Sequence, residues 1–213
     1  MPAERAIRLR REAWGFAVGS LFFMVGAVPF YQEAVGTVVA DLTFFVGALF
    51  FTAAGFIQLA LSGRRPPRRG GNRPDRFDWW SAAVQFVGTL FFNISTTDAL
   101  ITAINSQTQL SSGWRPDAFG SICFLVSSAF AVAATTERDR LWDPRARTWR
   151  CTWLNMLGSV LFGLSAIGAF VLPSTDDLVS LFWANAGTFL GAACFFAAAV
   201  LSRRAIAPAA SPR

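Results

Sequence analysis

Long apolar runs separated by short charged segments dominate the hydrophobic pattern of the chain. Six runs each approach the roughly 20 apolar residues that a helix needs to cross a bilayer. Most of the charge falls in the segments between them, which is typical of membrane spans joined by loops. The pattern predicts an all-α polytopic membrane protein with six transmembrane helices, at 13–30, 41–62, 79–100, 115–136, 151–172 and 178–202.

A short glycine-containing phrase recurs in all six runs. The phrase of the first run in each pair begins at Gly19, Gly88 and Gly158, so successive copies lie 69 and 70 residues apart. This spacing predicts three parallel two-helix hairpin repeats around a pseudo-threefold axis. In lipid, small residues let helix backbones approach closely, so the repeated glycines are predicted helix-packing positions. They are Gly19, Gly47, Gly88, Gly120, Gly158 and Gly191.

The hairpins, loops and termini divide the chain into seven predicted segments. Proline and glycine predict irregular structure in the arginine-rich loop after the first hairpin. The segments are a basic cytoplasmic N-terminus (1–12), hairpin repeat 1 (13–62), an Arg/Pro/Gly-rich cytoplasmic loop (63–77), hairpin repeat 2 (78–136), a basic cytoplasmic loop (137–150), hairpin repeat 3 (151–202) and a disordered tail (203–213).

The basic residues are distributed very unevenly between the two sides of this topology. All 19 are arginine, and 18 of them fall in the termini and in the loops after the second and fourth runs. Arg115 alone falls in the opposite links. Because basic residues concentrate on the cytoplasmic side, both termini are predicted to be cytoplasmic. The lysine-free, alanine-rich composition indicates a bacterial source, and therefore the bacterial cytoplasmic (inner) membrane.

The chain lacks the residues that most enzyme and metal sites use. It has no histidine and only three cysteines, none of which has a metal-ligand spacing. Catalytic phrases such as HExxH and GxSxG are absent, as is a phosphate-binding glycine loop. We therefore predict that the protein is not an enzyme and has no cofactor.

Several phrases in the apolar runs resemble those of a known bacterial family. DWWSAAVQFVGTLFFN, GWRPDAFGSICFLVSSA and WLNMLGSVLFG are similar to phrases of the YrhK-like integral membrane domain family, in its multi-copy actinobacterial form. The resemblance covers roughly 14–202. It implies an integral membrane protein of uncharacterised function, without catalytic residues to carry over.

Polar residues inside the apolar runs are the candidate functional positions. Such residues are costly in lipid and tend to face the bundle interior. Gln85 and Asn155 each lie three residues before a repeated glycine, where the first repeat has Phe16. The predicted polar pathway consists of Gln85, Asn93, Asp98, Asn155 and Asn185. The alternative is that these side chains form hydrogen bonds between helices.

Two functions are compatible with these features. The first is a non-catalytic membrane module that acts by helix packing or by contact with lipids or partners. The alternative is a small-solute or ion transporter or channel with a polar path between the three repeats. The predicted partners are the lipid bilayer and a second copy of the chain, with no nucleic acid. Arg64, Arg65, Arg68 and Arg69 are the candidates for contact with anionic lipid, and the alternative is a solvated loop whose arginines only set the topology.

Overall fold

A computed structural model of the chain describes residues 3–63, 65, 72–105, 115–138, 141–172, 174 and 177–204. The regular elements in these residues are helices. They are α1 (Ala3–Gly26), α2 (Pro29–Val35), α3 (Thr37–Ser62), α4 (Arg73–Ile104), α5 (Pro116–Arg138), α6 (Arg147–Gly168) and α7 (Leu181–Arg204).

The expectation of a helical membrane protein is confirmed. Five of these helices, α3 to α7, are long and apolar enough to cross a bilayer. The number rises to six if α1 and α2, which meet at a bend of 77°, are counted as one span. Large apolar side chains are exposed along the helices, among them Leu49, Phe56 and Ile122. Such a surface suits lipid rather than water.

The first span differs from its predicted limits of 13–30 at both ends. Helix α1 starts at Ala3, inside the basic N-terminal segment, and stops at Gly26. A separate short helix then begins at Pro29, because proline suits the first turn of a helix but not its interior. The side chain of Gln32 donates a hydrogen bond of 2.7 Å to the Gly26 carbonyl. This bond satisfies a carbonyl that the end of α1 leaves open.

The arginine-rich loop is also shorter than predicted, since α4 begins at Arg73 rather than near residue 79. Pro74 lies in the first turn of α4, where its missing N–H costs nothing. The Arg138 guanidinium, at the end of α5, donates hydrogen bonds to Asp75 at 2.6 Å and to Asp78. Acidic residues at one helix start and a basic residue at a neighbouring helix end both suit the helix dipoles.

The third hairpin departs from its predicted limits in the link between its helices. Helix α6 ends at Gly168 instead of residue 172, and α7 begins at Leu181 instead of residue 178. Val171 and Leu178 form an isolated antiparallel bridge between the two helices. Because the Val179 N–H donates to the Phe170 carbonyl at 2.9 Å, extended pairing replaces the predicted helical turns here. The start of α5, in contrast, lies at Pro116, one residue after the predicted start at 115.

The long helices contact one another in a closed circuit. Contacts run from α1 to α3, then to α4, α5, α6 and α7, and from α7 back to α1. The buried side chains are mainly phenylalanine, alanine, serine and threonine, while the large aliphatic ones are exposed. Small inward residues permit close helix contact in a bilayer. The arrangement leaves a central axis onto which one helix face of each span projects.

Candidate functional site

The repeated glycines lie where paired helices come closest together. In the second hairpin, a Cβ added to Gly88 would lie 2.7 Å from Cδ1 of Phe124. One added to Gly120 would lie 2.9 Å from Cε2 of Phe92 and 3.0 Å from the Gly88 carbonyl oxygen. Each of these phenylalanines thus packs over the glycine of the opposite helix. The glycines of the other two hairpins are covered in the same reciprocal way.

The phenylalanine that follows each glycine by four residues reaches the centre of the bundle. Phe23, Phe92 and Phe162 contact one another with ring centroids 5.6 to 6.1 Å apart. A second triangle of rings, from the other helix of each hairpin, has centroid distances of 5.6 to 6.3 Å. We call these six residues the phenylalanine plug. They are Phe23, Phe51, Phe92, Phe124, Phe162 and Phe195.

The plug is tightly packed and closes the axis. Its most exposed member, Phe92, is only 6% accessible, and Phe124 is 2% accessible. The mutual ring contacts are mostly edge-to-face, the arrangement that aromatic quadrupoles favour. Each triangle also contacts the other within every hairpin, for example through Phe92 and Phe124 at 5.1 Å. Two aromatic layers therefore separate the two ends of the bundle.

A cavity of about 240 Å³ adjoins the first aromatic layer of the plug, which consists of Phe23, Phe92 and Phe162, at the end of the bundle where α1 leads into α2. We call it the link cavity. Its walls carry Asp41, Arg115 and Asp117, and Nε of Arg115 lies 4.0 Å from Oδ1 of Asp117. Nearby hydroxyls are largely satisfied, since Ser165 donates to the Ala184 carbonyl at 2.6 Å. The cavity is thus polar at its rim and aromatic at its base.

A second cavity, of about 430 Å³, lies at the opposite end of the bundle, where α1 begins and α7 ends. We call it the terminal cavity. Phe195 of the plug and Phe16 contribute to its lining. Its polar lining comes from α1, α3, α4, α6 and α7. These polar side chains are Glu12, Gln58, Gln85, Arg147, Thr148, Asn155 and Ser202.

Three of the five predicted pathway residues line a cavity, two of them at one end of the bundle and one at the other. Gln85 and Asn155 both line the terminal cavity, and so does Phe16, which lies at the corresponding position of the first predicted repeat. Asn185 lines the link cavity. Gln85 also accepts a hydrogen bond of 3.3 Å from Ser127, so it takes part in helix packing as well.

The other two predicted pathway residues lie elsewhere. Asn93 lies at the contact between α3 and α4, where its amide donates to Thr52 and to the Thr89 carbonyl at 2.9 Å. The bond to Thr52 joins two helices, which is the kind of contact that the alternative interpretation of these polar residues describes. Asp98 is exposed on α4 and is not part of the lining of either cavity.

Serine and threonine hydroxyls form further bonds between helices. Ser81 and Ser127 lie 3.1 Å apart across α4 and α5, and Ser128 and Ser159 lie 2.8 Å apart across α5 and α6. All four are buried. Such bonds contribute about 0.6 kcal/mol each on average in membrane proteins.

Sequence reasoning missed the plug and the charged residues of the cavities. The signal for the plug was present, because a phenylalanine follows every repeated glycine at the same interval. Glu12 gave no such signal, since it lies one residue before the first predicted span. Because α1 begins at Ala3, Glu12 lies on the same helix as the first span, and the packing of that helix places it with Gln58 and Asn155 in one lining.

The predicted lipid contact falls mostly outside the described residues. Arg64, Arg68 and Arg69 lie there, while Arg65 is described and exposed. Within the described residues, no three cysteine, aspartate or glutamate side chains group in a way that could hold a metal ion. Comparison with known families, with curated proteins and with solved structures gave no match to this chain.

Proposed function

We propose that the protein is a non-catalytic membrane module whose bundle is closed at its centre. The phenylalanine plug is the observation that supports this proposal most directly. Its two layers occupy the axis, and no member is more than 6% accessible. An axis filled in this way blocks hydrated solutes, since a dry aromatic constriction disfavours water.

We further propose that the bundle consists of three hairpin repeats around a pseudo-threefold axis. Equivalent positions support this arrangement, since Phe23, Phe92 and Phe162 form one triangle of rings. Gly-to-Phe contacts have the same reciprocal pattern in all three hairpins. Repeats of this kind explain why Gln85 and Asn155, at matched positions, line the same cavity.

The remaining parts of the proposal rest on the sequence. The arginine asymmetry supports cytoplasmic termini, and the composition supports a bacterial inner membrane. The phrase similarity supports membership of the YrhK-like family. Anionic-lipid contact through the arginine-rich loop, and association with a second copy, belong to the same proposal.

Solute flux through proteoliposomes tests the closed state. We expect vesicles with the natural chain to shrink and reswell in a glycerol gradient at the rate of protein-free vesicles. Combined Phe92→Ala and Phe124→Ala substitutions remove contacting rings from both layers and should speed reswelling. Phe56→Ala, which truncates a 60% exposed ring on α3, is the matched control and should leave the rate unchanged.

The second candidate function is a gated pathway for a small solute. It is favoured by one specific observation, which is that the two polar cavities meet opposite faces of the plug. In this case the rings would be the gate. Rapid flux through the natural protein would contradict the closed module and favour the pathway. Slow flux through the doubly substituted variant would show that the plug is not the barrier.

A further inference from the structure

Glu12 is an unpaired acidic residue in the lining of the terminal cavity. Its carboxylate has no hydrogen bond or ion pair with the described residues, although Arg8, one turn earlier, pairs with Glu4. Leu9, Ala13 and Phe16 of the same helix form apolar wall beside it. An unpaired carboxylate beside apolar surface is costly. A positively charged occupant would offset this cost.

Carboxamides of three other helices surround the same space. Gln58 of α3, Gln85 of α4 and Asn155 of α6 all line it. The Gln58 side-chain oxygen is buried without a hydrogen-bond donor, and the Asn155 side chain has no hydrogen-bond partner among the described residues. Buried polar atoms are normally satisfied. The cavity thus offers acceptors that need hydrogen-bond donors from an occupant.

Arg147 contributes the opposite charge to this lining. It lies at the start of α6 and is exposed, and it forms no ion pair with the described residues. Glu12 and Arg147 do not pair with each other, so both charges are available. A guanidinium at the exposed edge of a cavity binds carboxylate or phosphate oxygens well.

We propose that the terminal cavity binds a small zwitterion, with a primary ammonium group at Glu12 and Gln58 and an anionic group at Arg147. The ammonium supplies both the charge and the N–H donors that the inner lining lacks. Apolar wall from Ala198 and Ala199 accommodates the methylene groups between the two ends. Free aliphatic amino acids carry an ammonium and an anionic group on one short chain, and so does the aminoethyl phosphate headgroup of some lipids.

The site exists independently of whether the plug opens. The second aromatic layer consists of Phe51, Phe124 and Phe195, and only Phe195 of these lines the cavity. The other lining residues lie between this layer and the end of the bundle where α1 begins. A closed module can bind this ligand from one side, and a gated pathway can bind it before transfer. A negative result in the flux experiment therefore leaves the binding proposal standing, and a negative result in the binding experiment leaves the closed-bundle proposal standing.

Cys151 provides a reporter because it is a free thiol that lines the same cavity. The full chain with Cys123→Ala and Cys194→Ala would be purified in detergent and treated with a small maleimide. We expect 4-aminobutanoate and O-phosphoethanolamine to slow Cys151 modification in a saturable way. At ten times Kd the rate should fall about tenfold, because the fraction of unoccupied sites, which alone react, decreases as 1/(1 + [L]/Kd). Butylamine and butanoate, which carry one charge each, should need at least about tenfold higher concentrations.

Two charge variants and a control distinguish specific binding from general protection. Glu12→Gln should remove the advantage of 4-aminobutanoate over butanoate, and Arg147→Gln should remove its advantage over butylamine. Arg150→Gln changes an exposed arginine of the same helix that is not part of the lining, and should keep the natural protection. The elution volume in size-exclusion chromatography would verify that each variant remains folded.

Two results would overturn the proposal. One is the absence of saturable protection by either zwitterion in the folded natural chain. The other is equal protection in the natural chain and in Glu12→Gln. Nanodiscs with and without phosphatidylethanolamine separate the two sources of the ligand. Protection by that lipid without soluble probe supports the headgroup, whereas protection by soluble probe alone supports a free solute.

Discussion

The close packing around Gly47 of α3 gives the sharpest test of the proposed arrangement. A Cβ added to Gly47 would lie 2.9 Å from Cβ of Phe22 and 3.0 Å from Cδ2 of Phe23. Gly55, on the same helix, has its nearest neighbour at 3.6 Å, which is an ordinary contact. Both glycines are buried on α3. Gly47 and Gly55 therefore differ mainly in the space available for a methyl group.

We expect Gly47→Ala to be less stable than Gly55→Ala by about 1–3 kcal/mol, the usual cost of overpacking. Alanine improves helix propensity by up to ~1 kcal/mol over glycine, and this gain cancels between the two variants. The free energy of unfolding would be measured by SDS titration in mixed micelles, with tryptophan fluorescence and circular dichroism as probes. Equal stability of the two variants, or a more stable Gly47→Ala, would refute close glycine packing.

Two further substitutions test individual contacts. Arg138→Gln should lower the free energy of unfolding by less than ~1 kcal/mol, since its partners Asp75 and Asp78 are exposed. The loss should shrink further in 1 M salt, because salt weakens ion pairs that are exposed to solvent; a salt-independent loss would contradict this. Asn93→Ala should cost about 1 kcal/mol in the SDS titration by removing its bond to Thr52. An unchanged unfolding curve would show that this bond makes no net contribution to the free energy of unfolding.

The helical membrane character followed from the sequence because it depends on local hydrophobicity and length. Helix α3 ends at Ser62 and α5 begins at Pro116, close to the predicted limits, since a charged loop or a proline marks each boundary. The end of α1 at Gly26 was not predicted. Apolar residues continue to Phe30 around Pro29, and a proline near the end of an apolar run does not by itself show whether the span ends there or bends by 77° into a second helix.

The candidate site was only partly visible for a similar reason. Matched positions placed Gln85 and Asn155 on equivalent faces, and both line the terminal cavity. Asn93 has the same residue chemistry but points into the contact between α3 and α4. The rotation of each helix about its axis decides this difference. A single apolar run carries little information on that rotation, because lipid-facing and core-facing residues are both hydrophobic.

The sequence by itself determined that the chain forms membrane helices, that its glycine phrases recur at regular intervals, and that its arginines are segregated. These properties depend on residue type and spacing along one dimension. Tertiary structure decided that six phenylalanines meet on one axis and that Glu12 shares a cavity with Gln58 and Arg147. Such neighbours come from different helices, so their proximity depends on how every helix packs against the next.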